Sequence, residues 1–146
     1  MITSSTCIKS SGYKTAARID IQCEITPVPF EEISRKDTSA ESSAVIRERV
    51  IKARSIQETR YKDFKGVHSN AQMTEKMIHQ FAEPDEQGME LLRMAMSKLN
   101  LSARAYSRIL KVSRTIADLE DSEQVQSHHI AEAIGYRTLD REDWVD

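Results

Sequence analysis

Three groups of residues have types and spacings suited to chemistry. The first is a basic ridge: Arg104, Arg108 and Lys111 stand at i, i+4 and i+7, on one helical face. Guanidinium groups at the opening turn of a helix, where the backbone dipole is also positive, favour phosphate and other anions. A solvated charged face has the same spacing, so both readings stay open. The second group is the cationic run Arg47, Arg49, Lys52, Arg54, Arg60, Lys62 and Lys65, set against Glu48, Glu58 and Asp63. Such runs are most often solvated faces making i,i+4 pairs; contact with nucleic-acid phosphates is the other reading. The third is the pair His128 and His129. Adjacent helical side chains point about 100° apart, so the two do not naturally share a metal. They read as exposed first-turn residues, one or both. His68 and His79 lack a nearby Cys or carboxylate constellation. No GxSxG, HExxH or Cys/His signature occurs, so the local patterns give neither a catalytic centre nor a metal site.

Composition narrows the classes further. The chain has 146 residues, 30% of them charged and 39% hydrophobic, with a formal net charge of −2. That suits one globular domain with a real core. The low aromatic content, 5%, favours helices over an all-β sandwich. Four glycines, Gly12, Gly66, Gly88 and Gly135, lie far apart. A phosphate-cradling loop of the GxxxxGK[ST] type, or a GxGxxG fingerprint, needs clustered glycines so that backbone amides can approach phosphate. The chain therefore carries no nucleotide-phosphate loop of its own. Cys7 and Cys23 form no CxxC pair, which fits a reduced compartment. No apolar run reaches the length of a signal peptide or of a membrane span, so a cytoplasmic, membrane-free protein is expected.

These side chains must be positioned by helices. Residues 1–17 are polar and low in pattern, and loose order is expected there. In residues 18–25, Ile19, Ile21, Cys23 and Ile25 alternate with Asp20, Gln22 and Glu24, the period of a half-buried strand. Pro27 and Pro29 stop it. This strand is an orphan, with no partner later in the chain, so it is expected to pair with another chain or with a sheet outside this polypeptide.

From about residue 38 the chain reads as five helices. Thr38 and Glu41 suit a capping box for the first, with Ile46, Val50 and Ala53 on one face and Gly66 as its stop. Thr74 suits the cap of a second, with a staple between Met73 and Ile78, apolar Met77, Ile78 and Phe81, and Pro84 as its end. The third runs from about Asp85 to Leu99, with Met89, Leu92, Met96 and Leu99 at three-four spacing. Ser102 caps the fourth, whose stripe is Tyr106, Ile109, Leu110, Ser113, Ile116 and Ala117. Ser127 caps the fifth, with Ile130, Ala133 and Ile134 inward. The tail after Arg137 is acidic, and its Trp144 is expected to pack back on the bundle.

Three stretches carry a specific resemblance. LSARAYSRILKVSRTIADLEDSEQVQSHHIAEAIGYRTLDRE, together with RIDIQCEITPVPFEEI and ESSAVIRERVIKAR, strongly resembles the C-terminal part of the bacterial magnesium-chelatase-like AAA+ ATPases of the ComM/YifB type. The similarity covers about residues 18–142. Residues 1–17 do not share it: the family's SGPLLDRID reads SGYKTAARID here, without the Leu-Leu-Asp before Arg18.

The resemblance implies a helical lid over a nucleotide site whose phosphate loop and Walker B acids lie elsewhere. It divides the chain into a non-family start (1–17), a strand and linker from the core edge (18–37) and a C-terminal lid domain (38–146). It implies that Arg104, in SARA, is a second-sensor arginine touching the γ-phosphate. It places Arg18, in RID, at the arginine finger that reaches a neighbouring subunit's nucleotide and can supply about 10³–10⁵ in rate. It gives no role to Arg47, Arg49 or Arg108. The implied parent activity is ATP hydrolysis with Mg2+ by a ring, coupled to DNA remodelling of the competence, branch-migrating kind rather than to pigment synthesis. The implied partners are the missing AAA+ core or neighbouring subunits, DNA in the parent protein, and a second copy through the orphan strand. The chain alone is expected to be inactive and to bind ATP weakly. The other class of function is a stand-alone helical nucleic-acid-binding module.

Overall fold

A computed structural model describes residues 19–23, 25–34 and 41–137. A single helical turn, Phe30–Ile33, precedes five helices: α1 (Ser43–Tyr61), α2 (Glu75–Phe81), α3 (Glu86–Lys98), α4 (Ala103–Leu119) and α5 (Ser127–Gly135). A 3-10 turn, Asn70–Gln72, lies between α1 and α2. Among the described residues there is no sheet, and the architecture is mainly α, as expected. Residues 18 and 24 of the orphan strand, together with Thr38 and Trp144, lie outside the described residues. Residues 19–23 and 25 form no strand; the Gln22 amide instead donates to the Tyr136 carbonyl at the end of α5, at 3.0 Å.

Local chemistry sets the helix starts. Ser42 caps α1 and accepts from the Val45 amide. Asp85 caps α3, taking the Gly88 amide at 2.7 Å, and Ser102 caps α4 through the Ala105 amide at 3.3 Å. Each cap satisfies a backbone donor that has no partner within its helix. Thr74 stands at the N-cap of α2 without a side-chain cap bond. Three boundaries differ from the sequence reading. The first helix starts at Ser43 under the Ser42 cap, with Glu41 before it rather than inside a capping box with Thr38, because the Ser42 hydroxyl takes the Val45 amide. The first helix ends at Tyr61, and Gly66 sits beyond it in a turn at φ +81°. The fifth is capped by Gln126 rather than Ser127, because His129 returns a bond to the Gln126 amide and closes a capping box.

The core follows the expected stripes. Ile109, Leu110, Ile116 and Ala117 of α4 are buried, with Leu92 of α3, Met77 and Ile78 of α2, and Ile130 and Ala133 of α5. Helix α5 packs on both α3 and α4, and α1 packs on α4. Tyr61, Phe64 and Phe81 meet edge to face, with centroids 5.8–6.4 Å apart, the favoured geometry for aromatic quadrupoles. The loops leading into α3 and α5 are tied by an isolated bridge between Pro84 and Val125.

Helix α1 departs from its expected face. Ala53, Gln57 and Tyr61 are buried, but Ile46 and Val50 are exposed along with every other residue from 41 to 52. Only the second half of this helix belongs to the bundle.

Candidate functional site

The Ser102 cap places Arg104 on the first turn of α4. Its side chain is exposed and has no ion pair among the described residues. The positive end of the helix dipole is at the same turn. A guanidinium there is a pure donor, free to take a phosphate or carboxylate in a bidentate grip.

The other two members of the ridge are engaged. Arg108 Nη1 lies 3.0 Å from Asp20 Oδ1 and 3.4 Å from the Ile19 carbonyl oxygen. Lys111 Nζ donates to the Ala71 carbonyl at 2.9 Å. Arg137, nearly buried beyond α5, donates to the same Ile19 carbonyl at 3.0 Å. Two arginines from separate elements thus grip the backbone of the residue that follows Arg18. Arg18 itself lies outside the described residues. Of the ridge, therefore, only Arg104 remains open to a ligand.

The cations of α1 divide as the helix does. Arg47 is exposed on the free half, and Arg49 pairs with Glu41 at 2.9 Å, both side chains well exposed. Arg60, by contrast, turns into the bundle and pairs with Asp118 through both oxygens. Asp118 is fully buried and also receives Arg114 and Asn70 Nδ2. The excess guanidinium donors are satisfied by the Ser122 and Glu123 carbonyls. Burial is the largest influence on Arg60 and would lower it, but the hydrogen bond and charge of Asp118, with a smaller contribution from Tyr61, together outweigh it and hold the group above its usual value. Burial pushes Arg114 down and Tyr61 up. Arg114 and Asp118 stand four apart in the sequence, a visible signal for a helical pair. The approach of Arg60 and Asn70 had no such signal, because it depends on how α1 and the 3-10 turn dock on α4.

The histidines converge, contrary to their expected divergence. His128 Nε2 and His129 Nε2 stand 2.9 and 3.0 Å from Glu120 Oε2. His128 is exposed and His129 is fully buried, so one of the two is the surface residue expected. Among the described residues these three form the one group with metal-ligand spacing. Hydrogen bonding opposes that use. His129 Nδ1 accepts the Gln126 amide at 2.9 Å, so the neutral ring carries its proton on Nε2 and donates it to Glu120. A metal-bound imidazole instead needs an acceptor for its Nδ1 proton. Mg2+, which prefers oxygen ligands in an octahedron, fits this set least. Glu120 is held below the usual carboxylate range, first by the hydrogen bond from His128. The cluster is a clasp between the end of α4 and the start of α5.

The fold and the exposed arginine define a helical domain that presents an unpaired cation on the first turn of a capped helix. The chain belongs to the family described as magnesium chelatase, subunit ChlI C-terminal, which matches residues 40–137. It is 40% identical over 124 residues to the competence protein ComM of Haemophilus influenzae, covering 85% of this chain and 23% of that protein. It is 36% identical over 124 residues to the uncharacterized protein YifB of Escherichia coli, covering 85% and 24%. An uncharacterized Mycobacterium tuberculosis protein is 27% identical over 120 residues, 82% and 23% of the two chains. The chain thus spans about a quarter of the length of the curated relatives it matches. No helix among the described residues is long and apolar enough to cross a membrane.

Proposed function

We propose that this chain serves as the lid of a magnesium-chelatase-like AAA+ ATPase, in which Arg104 contacts the terminal phosphate of ATP held by another part of the assembly. One observation carries the reading. Arg104 is the open cation of its ridge, on a capped first turn, while Arg108 and Lys111 are committed to backbone and side-chain partners. The residues present fit one role toward MgATP. They offer a phosphate oxygen a guanidinium, and among the described residues no carboxylate set beside Arg104 is arranged for the metal. In this reading Arg18 approaches a neighbouring subunit's nucleotide, and the work done is remodelling of DNA, the competence protein being the named relative.

The test has two arms. Isothermal titration of the chain with MgATP should give no binding below micromolar Kd. A chimera of the Haemophilus influenzae protein carrying this chain in place of its matching quarter should hydrolyse ATP. Arg104→Ala should lower its kcat by tenfold or more, with partial recovery in Arg104→Lys. Tight ATP binding by the chain alone, or an unchanged kcat in Arg104→Ala, overturns the proposal.

A further inference from the structure

Among the described residues, the first half of α1 buries no side chain, and the Lys52–Asp121 pair at its end ties it to the bundle. Helix α1 has 19 residues, and its first buried position is Ala53. The ten residues before it extend about 15 Å. Four of them are large and apolar, Val45 49%, Ile46 42%, Val50 39% and Ile51 59% exposed. A helical segment this short is marginal in water, and β-branched side chains weaken it further. Something must cover it for the helix to persist.

The bundle indicates which face is covered. Ile46, Val50, Ala53, Gln57 and Tyr61 recur at intervals of three and four, a single stripe. Its lower part is buried against the bundle, and its upper part is bare. Lys52 pairs with Asp121 just past the end of α4, while Arg60 pairs with Asp118 inside that helix. The bare part therefore projects beyond the C-terminal end of α4. A partner seated there would continue an interface that the bundle has already begun. Arg104 is at the opposite end of α4, about 24 Å away along a helix of this length.

We infer that this half-helix docks on the polypeptide that makes up the other three quarters of the relatives, through an apolar surface rimmed by carboxylates. The inference rests on the lid reading above. Two observations select this occupant. A match of 124 residues within a chain of 146 must include residues 23–124, so the bare stripe lies in the part shared with proteins about four times as long. Arg49 is paired with Glu41 and Lys52 with Asp121, which leaves Arg47 and Arg54 beside the apolar positions against Glu48, an excess of positive charge that favours an acidic rim over a basic one. Docking at the end remote from Arg104 would hold one end of the lid while the arginine end stays free to approach nucleotide.

Hydrogen exchange read by mass spectrometry tests this without nucleotide. In the chain alone, amides of residues 43–52 should exchange at least tenfold faster than those of 53–61. In the chimera described above, 43–52 should be slowed by at least tenfold. Val50→Asp with Ile51→Asp should abolish that protection in the chimera while leaving the thermal midpoint of the isolated chain unchanged. The matching stretch of the unaltered Haemophilus influenzae protein, which needs no chimera to fold, should also be protected. Protection in the isolated chain that rises with its concentration would mean a second copy is the occupant. Protection appearing only on addition of duplex DNA would mean a nucleic acid. Fast exchange in both long proteins would mean no intramolecular docking. Each of these overturns the inference. Loss of ATPase activity in Arg104→Ala is independent of this readout, so docking and the nucleotide reading can fail separately.

Discussion

Arg108 of α4 reaches Asp20, near the start of the described chain, at 3.0 Å, and in doing so turns a residue of the basic ridge into a tether. The tether does not act alone. Arg137 holds the neighbouring Ile19 carbonyl, and the Gln22 amide bonds to Tyr136. Residues 19–22 are thereby held against the N-terminal half of α4 and the end of α5. Arg108→Ala should release this segment with little effect on global stability, about 1 kcal/mol or less, since the pair is partly exposed. Faster exchange of the Gln22 amide at an unchanged thermal midpoint is the expected result.

Asp118 is the opposite case. It is buried with two guanidiniums on it, so removing it strands charge in the interior. Asp118→Ala should cost about 3–5 kcal/mol in urea unfolding. A second change, Arg114→Met, should recover part of that loss, because it removes one of the stranded charges. Additive losses in the double variant would show that the two residues act independently.

Gly88 leaves room for the cap of its own helix. A Cβ placed there would stand 2.8 Å from Asp85 Oδ1, 3.0 Å from Pro84 Cβ and 3.3 Å from Ile130 Cγ1. Gly88→Ala should therefore destabilise the fold by about 1–3 kcal/mol, despite the better helix propensity of alanine. Thermal unfolding of the variant measures this directly.

The Glu120 clasp predicts a weak acid dependence. Its carboxyl is held below its ordinary value by His128 and then His129. The associated stability is complete above the ordinary carboxylate pKa and is lost as pH falls through the lowered, folded-state value. The group is about half exposed, so the effect should stay under about 1 kcal/mol. Glu120→Gln should flatten the acid limb of the stability curve, read by urea unfolding between roughly pH 3 and 7.

His129 should prove structural. Its ring is fully buried, accepts the Gln126 amide and donates to Glu120. His129→Leu should cost about 1–3 kcal/mol by orphaning the Gln126 amide, while Glu120 keeps His128 and solvent. Zn2+ titrated into the native chain should give no stoichiometric binding at this site, as the ring nitrogen nearest the carboxylate already carries the proton.

Helix identity and the inward stripes of α3, α4 and α5 were legible because three-four spacing and Ser or Asp caps are local properties. The family was legible for a related reason: SARAYSRIL and EAIGYR are contiguous strings. The fate of individual polar residues was not. Arg60 looked like one of seven solvated cations and is locked into the interior. The histidine pair read as exposed in one or both members, and the sequence did not say that His129 is the one fully buried. Val50 looked like core and is bare. Each outcome depends on which neighbouring element arrives, and from what distance along the chain.

The sequence by itself determined a glycine-poor chain without a phosphate loop, five helices and an arginine on a capped first turn. Periodicity and capping involve residues within one or two turns, so one chain segment is enough to specify them. Only the tertiary structure decided that Arg108 and Lys111 are spent on tethers while Arg104 stays open, that two histidines meet on one glutamate, and that half of α1 stands bare. Those outcomes follow from desolvation and hydrogen bonding between segments distant in sequence, which act only once the helices have packed.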